Sequence, residues 1–195
     1  MKQTRHLFVI FNIITFSLMP AMGIAGSTEE IWQKLADGGL VVLMRHASSN
    51  DGKVTSAPLV RDPSCQQERN LTAKGKKDAA LIGKMFADKR VPVGEVLASP
   101  YCRTTDTAKI AFGRSTAADY LTVLEVLSAE QADRATEQLS RRIGSYAGRK
   151  NLVLVTHGPN IEAVSFDPVA QGAFVVFRPM GKDTFEAIGI INIVN

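Results

Sequence analysis

Two uninterrupted apolar runs, Leu40-Val41-Val42-Leu43-Met44 and Leu152-Val153-Leu154-Val155, constrain this chain more than any other feature. Neither alternates polar with apolar residues, so neither suits a sheet with one face in water. Strands of this kind are buried on both faces, the condition of a mainly parallel sheet covered by helices on either side. Both runs also end alike. The first delivers Arg45-His46-Ala47 and the second Thr156-His157-Gly158. Only three histidines occur in the chain, and the third, His6, falls in an N-terminal segment of different character. The strand ends of an open α/β sheet are where such folds build their sites, and an imidazole there can serve as nucleophile or proton carrier.

The remaining pattern agrees with this class. Thr28 to Ala36 reads as a short helix, capped by Ser27 or Thr28, with Glu29 and Glu30 in its first turn. Ser48 to Asn70 reads as a long polar loop over the first strand end. Leu71-Thr72 opens a helix to Asp88, with Ala79, Ile82 and Phe86 on one face. A strand over Glu95–Ala98 leads into a helix from Tyr101 to Phe112. A third short strand is expected around Tyr120–Leu124. The next helix carries Ala132, Ala135, Leu139, Ile143 and Tyr146, and Gly148 stops it. Ala173–Arg178 and Phe185–Val194 read as strands joined by a hairpin through Met180-Gly181-Lys182-Asp183. The sum is one α/β domain over 26–195: a three-layer αβα sandwich whose mainly parallel central sheet has an antiparallel edge strand.

Residues 1–25 read as an export signal. Lys2 and Arg5 give a basic start, Leu7 to Met19 is mostly apolar, and Gly23-Ile24-Ala25 is a small-x-small cleavage site. A retained membrane anchor is the rival, but the apolar stretch is short of the roughly 20 residues a span needs. No second membrane segment is visible, so no stable span is expected after cleavage. Removal takes Lys+Arg from 23 to 21 against 19 Asp+Glu, and the net charge from +4 to +2. That near-neutral balance, without interleaved aromatic and basic residues, argues against nucleic acid as a partner. Export to the periplasm or the medium lets Cys65 and Cys102 form one bridge. It would close a loop on the order of 40 residues and contribute about 2–4 kcal/mol; two free thiols are the alternative.

Arg45, His46, Arg103 and His157 all stand at or near strand ends, and parallel strands bring those ends to one sheet edge. Two guanidiniums and two imidazoles around one point describe an anion pocket suited to phosphate. Arg103 also lies in the first turn of its helix, where backbone N–H groups favour an anion. No Gly-x-Ser-x-Gly elbow is present, histidines and carboxylates lack metal-ligand spacing, and no Gly-Lys pair is followed by Ser or Thr as in a P-loop. Nor does a thiol-phosphatase loop fit, since Leu71 and Ala108 stand where an arginine is needed. A neutral imidazole is the nucleophile that remains.

Leu43-Met44-Arg45-His46-Ala47, Leu71-Thr72-Ala73-Lys74-Gly75, Ala98-Ser99-Pro100-Tyr101-Cys102-Arg103 with Thr107-Ala108, and Val155-Thr156-His157-Gly158 together resemble the histidine phosphatase superfamily, the fold of the cofactor-dependent phosphoglycerate mutases. The resemblance implies that His46 attacks phosphorus, that Arg45, Arg103 and His157 hold the phosphoryl oxygens, and that water then cleaves phosphohistidine. It implies no metal or organic cofactor. In the mutase-like branch a glutamate after the third strand protonates the leaving oxygen; Glu125 holds that place, with Glu130 second. Gly158 excludes the acid-phosphatase branch, and Ala47-Ser48-Ser49 departs from the mutase loop. Ser99 and Asn160 read as residues that shape the pocket through turn and cap hydrogen bonds, and Arg69 as a solvated loop arginine, with charge at the pocket rim as its alternative. The resulting expectation is a metal-independent phosphomonoesterase for a small phosphorylated substrate. An exported member resembles phosphatases of lipopolysaccharide sugar phosphates. A protein phosphohistidine phosphatase and a non-catalytic phosphate-binding protein are the alternatives.

Overall fold

The computed structural model describes residues 27–49 and 61–194, so the expected leader and the middle of the loop after His46 lie outside the described residues. Helix α1 (Thr28–Asp37) is capped by Ser27, whose hydroxyl accepts from Glu30 N–H while the Glu30 carboxylate accepts from Ser27 N–H. Strand β1 (Val41–Arg45) follows. Thr72 caps α2 (Ala73–Asp88), and β2 (Val93–Ala98) leads into α3 (Cys102–Phe112). After the two-residue β3 (Thr116–Ala117) come α4 (Ala129–Gly144), β4 (Asn151–Thr156), α5 (Gly158–Ser165) and the hairpin β5 (Phe174–Gly181) and β6 (Thr184–Ile191).

The strands form one sheet in the order β3-β2-β4-β1-β5-β6. The first four run parallel, β5 runs against β1, and β6 runs against β5. The expected antiparallel edge is therefore the β5–β6 hairpin, with β5 the reversed strand and β6 outermost. Because successive residues of a strand face opposite layers, the two apolar runs feed two cores. Val42, Met44, Val153 and Val155 meet Trp32 of α1, Ile82 and Phe86 of α2 and Ala108 of α3. Val41, Leu43, Leu152 and Leu154 meet Leu139 and Ile143 of α4 and Ile161 of α5. Phe86 centres the first layer, with edge-on Trp32 at 5.2 Å and Phe112 at 5.1 Å; such pairs add about 0.5–1.5 kcal/mol each beyond area burial. The uninterrupted hydrophobicity is thus fully used.

The structure corrects the sequence reading at three places. The third strand is Thr116–Ala117, and the expected strand at Tyr120–Leu124 is instead a pair of 3-10 turns, Asp119–Leu121 and Leu124–Val126. Leu121 is apolar because it joins the core with Leu139 and Ile143 of α4, Val123 is buried as well, and the Leu121 carbonyl accepts from Thr156 Oγ1 at 2.8 Å. Burial, not pairing, set that pattern. Helix α4 also stops at Gly144, leaving Tyr146 beyond its end. Finally, the sequence reading assigned no element after His157, whereas Gly158-Pro159-Asn160 opens α5, with proline in the first turn, where its missing N–H costs nothing.

Candidate active site

Register brings the two histidines together. Arg45 pairs with Thr156 across β1 and β4, and His46 N–H donates to the Thr156 carbonyl at 3.0 Å. The next residues, His46 and His157, leave the sheet side by side, with ring centroids 5.5 Å apart. Both are buried, at 4% and 2% exposure. Arg103 enters from the start of α3, also 2% exposed, with Nη2 3.2 Å from His157 Nδ1. The Arg45 guanidinium lies against Gly158, where a Cβ would sit 3.5 Å from its Cζ. The four groups that the sequence singled out converge.

Hydrogen bonding fixes the tautomers. His46 Nδ1 is 2.9 Å from the Ala47 carbonyl oxygen. A carbonyl only accepts, so Nδ1 carries the proton and Nε2 keeps its lone pair. At His157 the order reverses. A guanidinium only donates, so Nδ1 accepts from Arg103, and Nε2–H donates to Ser99 Oγ at 2.8 Å. Ser99, fully buried, is therefore more than a turn residue: it sets the ring angle of His157. Thr107 Oγ1 donates to the Arg103 carbonyl at 2.7 Å and accepts from Ala47 N–H at 3.0 Å, tying the residue after His46 to the turn bearing Arg103.

Burial lowers the His46 pKa to about 3, against an opposing push from its Ala47 hydrogen bond, and the charges of Arg103, Arg45 and Arg69 lower it further. Burial also puts His157 well below the usual imidazole range, helped by Arg103, His46 and Arg45. Both rings are neutral near pH 7. Arg103 is pushed down to about 10 by burial and Arg69, opposed by Glu68, Tyr101 and Glu125, and stays charged. Its Nη1 is buried with no hydrogen-bond partner among the described residues. A charged N–H in that condition costs several kcal/mol until an anion arrives. Its Cζ lies 4.6 Å from the centroid of the Tyr101 ring, which braces it from behind.

Six further placements bear on the site. Arg69, read from sequence as a solvated loop arginine, is half-buried and close enough to depress both histidines and Arg103, so it adds charge to the pocket. Glu125 is exposed in its 3-10 turn and electrostatically coupled to Arg103. Glu130 pairs with Arg134 on the solvent side of α4 at 2.5 Å. The anion at the N-terminus of α3 is an internal one: Glu68 Oε2 accepts from Cys102 N–H at 2.7 Å. Sequence gave no sign of Glu68, a loop residue outside every motif. Asn160 lies inside α5 and donates to the Thr122 carbonyl at 2.8 Å, anchoring the turn before Glu125. Cys65 and Cys102 form a disulfide, Cα atoms 5.9 Å apart.

A stability consequence follows from the two neutral histidines. Their folded pKa values lie below the unfolded value, so the unfolded chain binds more protons as pH falls below about 6.5. Stability should drop by several kcal/mol between about pH 6.5 and pH 3. Melting curves at pH 7 and 4.5 check this. Orthophosphate should reverse part of the loss, because an anion beside the rings favours their protonated forms.

The described residues contain no helix long and apolar enough to cross a membrane, and no group of three or more His, Cys, Asp or Glu that could hold a metal ion. The model of the histidine phosphatase superfamily, branch 1, matches residues 41–124. Among curated proteins, none matches the chain in sequence. Solved structures share the fold. The protein histidine phosphatase SixA complexed with tungstate superposes with TM-score 0.54 at 13% identity, over 78% of this chain and 96% of that one. Phosphoserine phosphatase from Entamoeba histolytica, in complex with 3-phosphoglyceric acid, gives 0.56 at 13% identity over 78% and 96%. A mycobacterial glucosyl-3-phosphoglycerate phosphatase with VO3 gives 0.56 at 12% identity over 77% and 97%.

Proposed function

We propose that this chain is a histidine phosphatase, as the match of that family's model over residues 41–124 supports, and that it hydrolyses phosphate monoesters through a phosphohistidine on His46. One observation carries the reading: His46 Nε2 keeps its lone pair in a buried pocket that also holds an Arg103 N–H with no hydrogen-bond partner among the described residues. In the first step the Nε2 lone pair attacks phosphorus as the bond to the leaving oxygen breaks. Arg103 and Arg45 hold the equatorial oxygens, supplying donors where charge gathers in the transition state. Phosphate also offsets the arginine charges that depress His157; as Arg103 Nη2 turns from Nδ1 to a phosphoryl oxygen, Nδ1 can take a proton from the phosphate monoanion and donate it in a hydrogen bond to a third oxygen. Glu125, at the rim and coupled to Arg103, protonates the leaving oxygen. Water then attacks phosphorus while giving a proton back to the Glu125 carboxylate, the P–N bond breaks, and His46 regains its lone pair as orthophosphate leaves. No step calls for a metal.

The substrate class we favour is a sugar phosphate of the cell envelope, with the enzyme in the periplasm or secreted. Two features support that compartment: the leader-like segment at 1–25 and the Cys65–Cys102 bridge. Purified protein should turn over p-nitrophenyl phosphate in the presence of chelator and stop with vanadate. Binding of phosphate without turnover would instead mark a non-catalytic pocket.

Glu125→Gln separates acid catalysis from the rest. On a sugar phosphate, a poor leaving group, kcat should fall about 100-fold; on p-nitrophenyl phosphate, whose leaving group needs little protonation, the loss should be several-fold. Equal losses on the two substrates would remove Glu125 from the acid role.

A further inference from the structure

Glu68 has no place in the mechanism above, yet it is bound twice at the edge of the pocket. Its Oε1 accepts from Asp62 N–H at 3.0 Å and its Oε2 from Cys102 N–H at 2.7 Å. Both oxygens serve backbone donors, so the carboxylate is spent on geometry and is not a proton donor to substrate. Helix α3 needs this contact, because its N-cap residue, Tyr101, supplies no side-chain cap. The same loop is fastened again at the same residue, through the Cys65–Cys102 bridge, and Asn70 Nδ2 donates to the Cys65 carbonyl at 2.6 Å. The residues next to these anchors carry the charge. Arg69 follows Glu68, and Arg103 follows Cys102.

We infer that Glu68 and the Cys65–Cys102 bridge form one positioning clamp that holds the Arg69 loop and the first turn of α3 in register, so that two guanidiniums meet one phosphate. The inference rests on the phosphatase reading for its ligand. The clamp also answers an electrostatic problem. Arg69 repels Arg103 in a buried pocket, and Glu68 is the group that most favours the charged form of Arg103. An internal carboxylate bound to the helix start keeps these cations gathered without entering the phosphate position, since its oxygens are occupied elsewhere.

The test compares wild-type protein, Glu68→Ala, Cys65→Ser/Cys102→Ser and the triple variant. Titration calorimetry reads orthophosphate affinity, p-nitrophenyl phosphate kinetics read KM and kcat, and melting curves read stability. A shared clamp predicts that Glu68→Ala and the double cysteine variant each weaken orthophosphate about tenfold and raise KM in step. The triple variant should be no weaker than either, because both changes release the same loop. Should the double variant not fold, wild-type protein treated natively with a dithiol, which supplies two electrons and two protons to give two thiols, carries the same comparison. Lower melting temperature with unchanged orthophosphate affinity would reduce the clamp to a structural staple. Losses that multiply in the triple variant would separate Glu68 from the bridge. Failure of the phosphatase reading itself looks different: wild-type protein would show no turnover, whatever its orthophosphate affinity.

Discussion

His46→Ala should abolish turnover of p-nitrophenyl phosphate, a loss of about 10⁴-fold or more, as removal of a covalent nucleophile does elsewhere. Orthophosphate should still bind within about tenfold of wild type, since the guanidiniums remain. The contrast matters because the ring is also buried and edge-on to His157, so its loss could act through packing. A folded variant that binds but does not turn over separates chemistry from structure. The variant should also lose part of the acid-induced fall in stability, because one of the two depressed imidazoles is gone. If His46→Ala kept a tenth of wild-type activity, the nucleophile would have to be sought elsewhere.

Arg103→Ala should cost about 10²–10³ in kcat, the range for removing a preorganised donor from developing charge. Two features make this arginine more sensitive than Arg45. It is 2% exposed, and its Nη2 sets the tautomer of His157. Arg103→Lys keeps the charge but loses the planar fork, so it should recover only part of the activity. The stability effect should run the other way. Taking away a buried cation that repels Arg69 should leave the ligand-free protein as stable as wild type or more so. Both histidine pKa values should rise toward the ordinary range, visible in an NMR titration of the imidazole protons. A variant with lower stability and unshifted histidines would contradict the electrostatic picture.

Much of this site was legible in the sequence for a simple reason. Strand register does the assembly: once Leu40–Met44 and Leu152–Val155 are read as neighbouring buried parallel strands, the residues after each must meet. The fold class followed from the same runs, and α1 and α2 from their caps. What escaped was what depends on packing rather than on pattern. Leu121 and Val123 look like a strand because they are apolar and alternate, but both are buried without strand pairing, Leu121 in the core with Leu139 and Ile143 of α4. Thr116–Ala117 pairs at an exposed edge with nothing apolar to mark it. Arg69 and Glu68 sit in a polar loop where adjacent opposite charges look solvated; the disulfide and the start of α3 give them their positions. Ser99 looked like a turn residue and is the acceptor for His157. Side-chain partners chosen across such distances leave no local signature.

The claim beneath all of this is that His46 Nε2 forms a bond to phosphorus. Rapid quenching during turnover of a labelled phosphate ester, followed by peptide mapping under alkaline conditions that preserve phosphohistidine, tests it directly. The label should appear on the peptide containing His46, at Nε2, and be absent from His157. Label on another side chain, or steady turnover with none trapped at any quench time while incoming and released phosphate show one inversion at phosphorus, would contradict it.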